Sequence, residues 1–289
     1  MNLSEFSVVI PTLGGEALSR TIDLINSGSL VPNEVLICIP IELTSRVTEL
    51  SAFQNVKIIG TECKGQVAQR IEGFKQVKND YVVQMDDDMY VYETCLERLI
   101  EGLTKFEEEV AIAPAMIFDT TKQSCYLFEY RDSTIRSLIE GKNWFKPGNI
   151  TRTGWNLGMN ALLTSERYSS IEWLPGGCVA HKKQNLILYN YFPFEGKAFF
   201  EDVIQSIHLA KNKVRLLIDN TALCGIDEYD AVPFSLLSPV KTYHMYYSYR
   251  KHIVKLRGDS ITYLLFDGLF NYCLATRALM NRLLNRKRR

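Results

Sequence analysis

Short β-rich apolar runs alternate with helically spaced apolar residues through the first 85 positions, and this alternation restricts the fold more than any other feature. Phe6 to Ile10 is halted by Pro11, Glu34 to Ile39 ("EVLICI") is closed by Pro40, and "NVKII" (55–59) and Tyr81 to Met85 follow as further strands. Between them, "GGEALSRTIDLINSGS" places Leu18, Ile22, Leu24 and Ile25 at helical spacing, and "KGQVAQRIEGFKQVKN" places Val67, Ile71, Phe74 and Val77 on one face. Strands alternating with helices require right-handed crossovers, hence an α/β fold with a mostly parallel sheet and helices on both faces. Ligands bind such sheets beyond the carboxyl ends of the strands, where Pro11-Thr12, Ile39-Pro40 and the aspartates 86–88 all fall.

The rest of the chain is less regular. Residues 120 to 175 read as hairpin and loop material over one end of the sheet. "KAFFEDVIQSIHLAKNK" predicts a helix, "VRLLID" a strand, and the segments from Tyr243 onward predict helices. A hydrophobic content of 46% and charged content of 23% are ordinary for a soluble globular chain. Lys+Arg and Asp+Glu balance at 33 each, so there is no global charge favouring nucleic acid. Seven scattered cysteines lack CxxC or Cys/His metal spacing and read as reduced, buried thiols of a cytosolic protein. The first residues carry no signal-peptide pattern, and the apolar stretch Ile261 to Thr276 is too short to cross a bilayer and is interrupted by Asp267.

Three short motifs carry chemistry. In "QMDDDMYVYE" (84–93), Asp86 and Asp88 stand two apart directly behind a strand and can direct two carboxylates at one hard cation, Mg²⁺ or Mn²⁺. A solvated loop or a helix N-cap explains the same three acids equally well. "FFED" (199–202) puts Glu201 and Asp202 at a helix start, where Asp202 suits a general base and where acids also simply complement the helix dipole. In "WLPGG", Gly176 and Gly177 permit close backbone approach to a ligand, or a tight turn between strands. GxGxxG, Walker A, GxSxG and HExxH patterns are absent.

Taken in order, "VVIPT", "EVLICIP", "GQVAQRIEG", "VVQMDDD", "WLPGG" and "FFED" resemble the family 2 inverting glycosyltransferases of the GT-A fold over roughly residues 5 to 220. The resemblance implies a nucleotide-diphosphate-sugar donor and a divalent metal, Mn²⁺ or Mg²⁺, at Asp86 and Asp88. It implies that Asp202 is the catalytic base. Pro11, Thr12, Gly65, Arg70, Asp86, Asp87, Gly176, Gly177 and Glu201 are then the donor-contacting residues. Gln69-Arg70 stands in the family's Arg-Asn slot. Two departures stand out: Ile39-Pro40 replaces the acid that usually meets the donor base, and the family's later histidine is missing near Cys224-Gly225, leaving His244 as its candidate replacement in the metal set.

These readings divide the chain into a catalytic domain, 1–225, and a helical extension, 226–289, that is potentially membrane-associating. Within the first, a donor half covers about 1–118 and an acceptor half about 119–225. The implied activity is inverting transfer to a hydroxyl of a glycan or lipid-linked acceptor, as in bacterial-type surface polysaccharide synthesis. It implies a cytoplasmic protein, at most peripheral on the inner face of the cytoplasmic membrane. The alternatives are a sugar nucleotidyltransferase, for which "PTLGGEALSR" is a poor basic loop, and a non-catalytic nucleotide- or glycan-binding protein of the same fold. The tail has an apolar side (Leu264, Leu265, Leu269, Phe270, Leu274, Leu279, Leu283, Leu284) beside the basic end "RLLNRKRR". It suits a helix packed on the protein, or an anchor on anionic lipid.

Overall fold

The computed structural model describes residues 5–126, 134–141, 144–195, 198–228 and 238–286. The chain divides into two compact units, 1–128 with 158–228, and 129–157 with 229–289. Residues 129–157, which the sequence places in an acceptor half, therefore group with the C-terminal helices.

The first unit is a mixed α/β body around a nine-stranded sheet in the order β3-β2-β1-β4-β8-β6-β9-β5, with β7 beside β9. The strands are β1 (Phe6–Pro11), β2 (Glu34–Pro40), β3 (Val56–Thr61), β4 (Tyr81–Met85), β5 (Tyr90–Val91), β6 (Val110–Phe118), β7 (Tyr168–Ser170), β8 (Cys178–Lys182) and β9 (Arg215–Ile226). β1 pairs in parallel with β2 and β4, β2 with β3, and β6 with β9, while β8 runs antiparallel between β4 and β6. Most strands thus share one direction. β1 is buried along its whole length, as a strand covered on both faces must be.

Helices α1 (Ala17–Ser27), α2 (Gln66–Phe74), α3 (Cys95–Lys105) and α5 (Glu201–Lys211) belong to this unit. α1 and α3 turn apolar stripes, Leu18, Ile22 and Ile25 and Leu96, Leu99, Ile100 and Leu103, into the main core with Val8, Ile10, Ile37 and Val83. Phe74, on α2, joins Val9, Leu36, Cys38 and Val82 in a second cluster. Of the seven cysteines, Cys38, Cys95, Cys178 and Cys224 are buried as expected, but Cys63 and Cys125 are partly exposed and Cys273 is exposed.

The second unit contains α4 (Thr134–Glu140), α6 (Ser238–Arg257) and α7 (Ile261–Arg286). Asp267, fully buried on α7, accepts hydrogen bonds from Arg136 at 2.6 Å and Arg250 at 2.8 Å. Arg250 also donates to the Thr153 carbonyl at 2.9 Å. The acid that interrupts the apolar stretch is therefore the ionic centre of this unit. No helix among the described residues is long and apolar enough to cross a membrane.

One close contact fixes the helix that carries Arg70. A methyl group at Gly73 would stand 2.5 Å from both Cys38 Sγ and Val9 Cγ1. Ala would gain up to about 1 kcal/mol of helix propensity, while overpacking of a core costs about 1–3 kcal/mol. With two such clashes overpacking wins: Gly73→Ala is expected to lower stability by about 1–2 kcal/mol in urea unfolding, and an unchanged midpoint would contradict the packing described.

Candidate active site

The sheet's carboxyl edge gathers most of the motif residues. Thr12 follows β1, with its N–H donating to the Cys38 carbonyl at 2.9 Å and its hydroxyl donating to Asp87 Oδ2. Gln69 Nε2 donates to the Thr12 and Cys38 carbonyls at 2.8 and 2.9 Å, joining α2 to the ends of β1 and β2. Gly65 caps the start of α2 and donates to Gln69 Oε1 at 3.2 Å. Pro11 is buried at the end of β1.

The three aspartates divide their tasks. Asp87 is held by Thr12, and the backbone around it by Thr21, whose hydroxyl lies 3.0 Å from the Asp87 carbonyl and 3.1 Å from that of Met89. Asp86 Oδ1 accepts from Gln66 at 2.6 Å and from Arg70 Nη2 at 3.0 Å. Asp88 is exposed.

Arg70 joins this strand end to the second acidic motif. It is 1% exposed, and its Nη1 donates to both oxygens of Glu201, at 2.9 and 3.1 Å. Tyr191 donates its hydroxyl to Glu201 Oε2 at 2.8 Å. Burial works against the charge of Arg70, but Glu201 and then Asp86 hold its pKa above the ordinary value. His181 beside it stays neutral: burial first, then Arg70, pushes its pKa down to about 3.

α5 starts at this point. Phe200 takes a left-handed backbone conformation (φ 58°), a strained arrangement for a bulky residue, directly before Glu201 and Asp202. Gln84 on β4 and Gln205 on α5 exchange hydrogen bonds at 3.0 and 2.6 Å, and Gln84 also donates to the Gly176 carbonyl at 3.1 Å. Gly177 accepts from the Asp86 N–H at 2.9 Å. A methyl group at Gly176 would stand 2.9 Å from Asp202 Cβ, and one at Gly177 2.9 Å from Met89 Sδ. The two glycines therefore let the "WLPGG" backbone lie between the acidic motifs.

Arg70 thus pairs with Asp86 and Glu201, and Asp88 and Asp202 lie close enough to these two acids to act on them electrostatically. This crowding of negative charge shifts two of the acids. Burial, then Glu201 and Asp88 against the pull of Arg70, raises Asp86 to about 7. Burial, then Glu201, with a smaller push from Asp86, raises Asp202 to about 7. Hard oxygen donors suit a divalent cation, and Asp86 and the exposed Asp88 are the carboxylates that could hold one. Among the described residues no three His, Cys, Asp or Glu side chains already converge as a metal-binding group.

The structure therefore brings together Thr12, Gly65, Arg70, Asp86, Asp87, Gly176, Gly177, Glu201 and Asp202. Arg70 and Glu201, expected to meet the donor, are buried and paired with each other. His244 lies exposed on α6 in the second unit. Gln66, Tyr191, Gln84 and Gln205 were not singled out by sequence. Gln66 was within reach of it, because it stands four residues before Arg70 on the same helical face.

A sequence model described as "Glycosyl transferase family 2" matches residues 7–161, just over half the chain. The chain belongs to glycosyl transferase family 2. It carries the GT-A fold, resembling solved structures at low identity. GalNAc-T7, solved with UDP, GalNAc and Mn²⁺, is 15% identical with a TM-score of 0.58, over 86% of this chain and 50% of that one. TarS 1–349 of S. aureus, solved with UDP-GlcNAc, is 17% identical with a TM-score of 0.51, over 83% and 64% of the two chains. The mannosyltransferase PcManGT of Pyrobaculum calidifontis, solved with GDP-Man and Mn²⁺, is 15% identical with a TM-score of 0.55, over 97% and 75%. This family 2 chain thus spans about half the length of the GalNAc-T7 chain it matches. No curated protein matches it in sequence.

The raised Asp202 gives a pH signature. Its folded pKa of about 7 exceeds the ordinary 3.8, so between these values the folded state holds a proton that the unfolded state has lost. Its contribution to stability must fall as pH rises through that window. Asn cannot titrate. In metal-free buffer, Asp202→Asn is expected to gain on the order of 2 kcal/mol relative to wild type between pH 5 and pH 8. An identical difference in urea unfolding at both pH values would contradict the raised pKa of this carboxylate.

Proposed function

We propose that this family 2 protein transfers a sugar from a nucleotide-diphosphate-sugar to a hydroxyl of a glycan or lipid-linked acceptor, with inversion at the anomeric carbon. The observation that supports the proposal is that Arg70 pairs with both Asp86 at the strand end and Glu201 at the start of α5, where Asp202 follows and feels the charge of Asp86. A role in bacterial-type surface polysaccharide synthesis, on the cytoplasmic side, fits this chemistry.

The residues take distinct roles. Thr12, Gly65, Asp87, Gly176 and Gly177, at the sheet's carboxyl edge, form the donor-facing wall, with Pro11 fixing the end of β1. Arg70 and Glu201 act from beneath, holding Asp86 and the start of α5 in place. Asp86 and Asp88 would hold Mn²⁺ or Mg²⁺; when bound, such an ion offsets charge on the departing diphosphate. Asp202 takes the proton of the acceptor hydroxyl as that oxygen attacks from the face opposite the diphosphate. A carboxylate titrating near 7 is matched to that task, because a base works best when its pKa lies near the operating pH. The similar structures hold UDP-GlcNAc in one case and GDP-Man in another, and Ile39-Pro40 stands where the family usually offers an acid to the base.

The roles separate by substitution. Asp202→Asn is expected to bind the donor nucleotide as wild type does while losing about 10²–10⁴-fold in turnover. Asp88→Ala should lose metal-dependent donor binding itself. Sugar release from a panel of nucleotide-diphosphate-sugars, with calorimetry on the same variants, reads both effects. Full turnover in Asp202→Asn would remove the base assignment.

A further inference from the structure

The second unit concentrates exposed apolar side chains. Of fifteen large exposed hydrophobic residues among the described ones, eight lie in this unit and five on α7 alone. The helix has two unlike faces. Leu264 and Asp267 are buried, and Arg136 holds that face through Asp267, through Asn271 at 2.8 Å and by lying over the Phe270 ring. Leu264, one member of the apolar side read from the sequence, therefore belongs to the packed face, and Phe270 lies against Arg136. At 100° per residue, Leu265, Phe266, Leu269 and Tyr272 fall on the opposite side, and each is more than half exposed. Leu274, on the phase of the packed face, is also 45% exposed.

The sequence continues the stripe and adds charge. Leu279, Met280, Leu283 and Leu284 repeat the helical phase of Leu265, Phe266 and Leu269. After Asp267 there is no acidic residue, while Arg277, Arg282, Arg286, Lys287, Arg288 and Arg289 follow. The whole chain is electrically balanced, so this cluster is a local asymmetry.

We propose that the exposed stripe of α7 docks on the surface of an anionic lipid bilayer, with the helix in the interface plane and the basic C-terminal residues on the head groups. An apolar stripe flanked by cations suits such an interface, and a one-sided stripe does not suit a span. A second copy of the same helix is a poor occupant, because it would bring six further cations and no acid beyond Asp267 to meet them. The proposal is independent of the transferase chemistry and needs none of the cleft residues.

Sedimentation of the full chain with vesicles tests it. Phosphatidylcholine vesicles containing about 30% phosphatidylserine should pellet the protein at low salt, with at least tenfold weaker partition onto phosphatidylcholine alone and release at high salt. Leu265→Ser/Leu269→Ser and Arg282→Gln/Arg286→Gln should each weaken partition at least tenfold while leaving nucleotide-diphosphate binding unchanged, which keeps this test separate from that of the cleft. If the first variant fails to fold, Tyr272→Trp in the intact chain supplies a second readout, a blue shift of its emission on adding anionic vesicles. Protein left in the supernatant with anionic vesicles, equal partition onto neutral ones, or a concentration-dependent dimer that Leu265→Ser/Leu269→Ser dissociates would overturn the proposal.

Discussion

The structure at the sheet's carboxyl edge depends on one buried cation. Arg70, on the second helix, meets Asp86 at the end of a strand and Glu201 at the start of a helix 131 positions later. An ion pair this deep brings little net stability over an apolar substitute. Removing one partner, by contrast, strands a charge and costs about 3–5 kcal/mol. The arrangement therefore specifies position: if Arg70 is to be inside, both acidic motifs have to come to it. Gly73, one turn further along the same helix, sets how close that helix lies to the sheet.

Arg70 pairs with two carboxylates, while Asp88 and Asp202 press on them with further negative charge. The surplus appears as two acids, Asp86 and Asp202, pushed up to about 7 by burial and by their acidic neighbours. A site built only for stability would have no cause to retain such a surplus, since each unpaired buried charge is costly. A divalent cation and the diphosphate it carries are the chemical answer we favour. The acidic run behind β4 is then neither a mere cap nor a uniform cluster: Asp87 braces Thr12, Asp86 is oriented by Gln66 and Arg70, and Asp88 faces outward. The strand ends at Met85 and the chain turns at Asp87 and Asp88, so neighbours of identical chemistry end with different work.

Much of this was legible before any coordinates. The first four strands declare themselves because β-branched runs stop at prolines or polar turns, and Tyr81–Met85 has the same bounds in both descriptions. The helix at 95–105 and the strand at 110–118 were also within reach, since Leu96, Leu99, Ile100 and Leu103 keep helical spacing and "VAIAPAMIF" is a continuous apolar run. β8 was not. "CVAHK" contains a histidine and a lysine, and it becomes a central strand only because β4 and β6 pair with both its edges. The acidic motifs could be picked out by order and spacing, whereas Tyr191 could not, because its contact with Glu201 exists only after the chain has folded. Asp267 illustrates the opposite error of emphasis. In sequence it only interrupts an apolar stretch; in the structure it is what Arg136 and Arg250 are organised around.

The central claim is that the carboxylate surplus around Arg70 exists to receive a cation and a nucleotide diphosphate together. The most direct measurement is calorimetric titration of the wild-type protein with UDP, GDP, CDP and dTDP, each with and without Mn²⁺. One nucleotide binding only in the presence of the metal is the result expected, and it would also identify the donor base. Equal binding with and without metal, or no binding of any nucleotide in either condition, would contradict the claim.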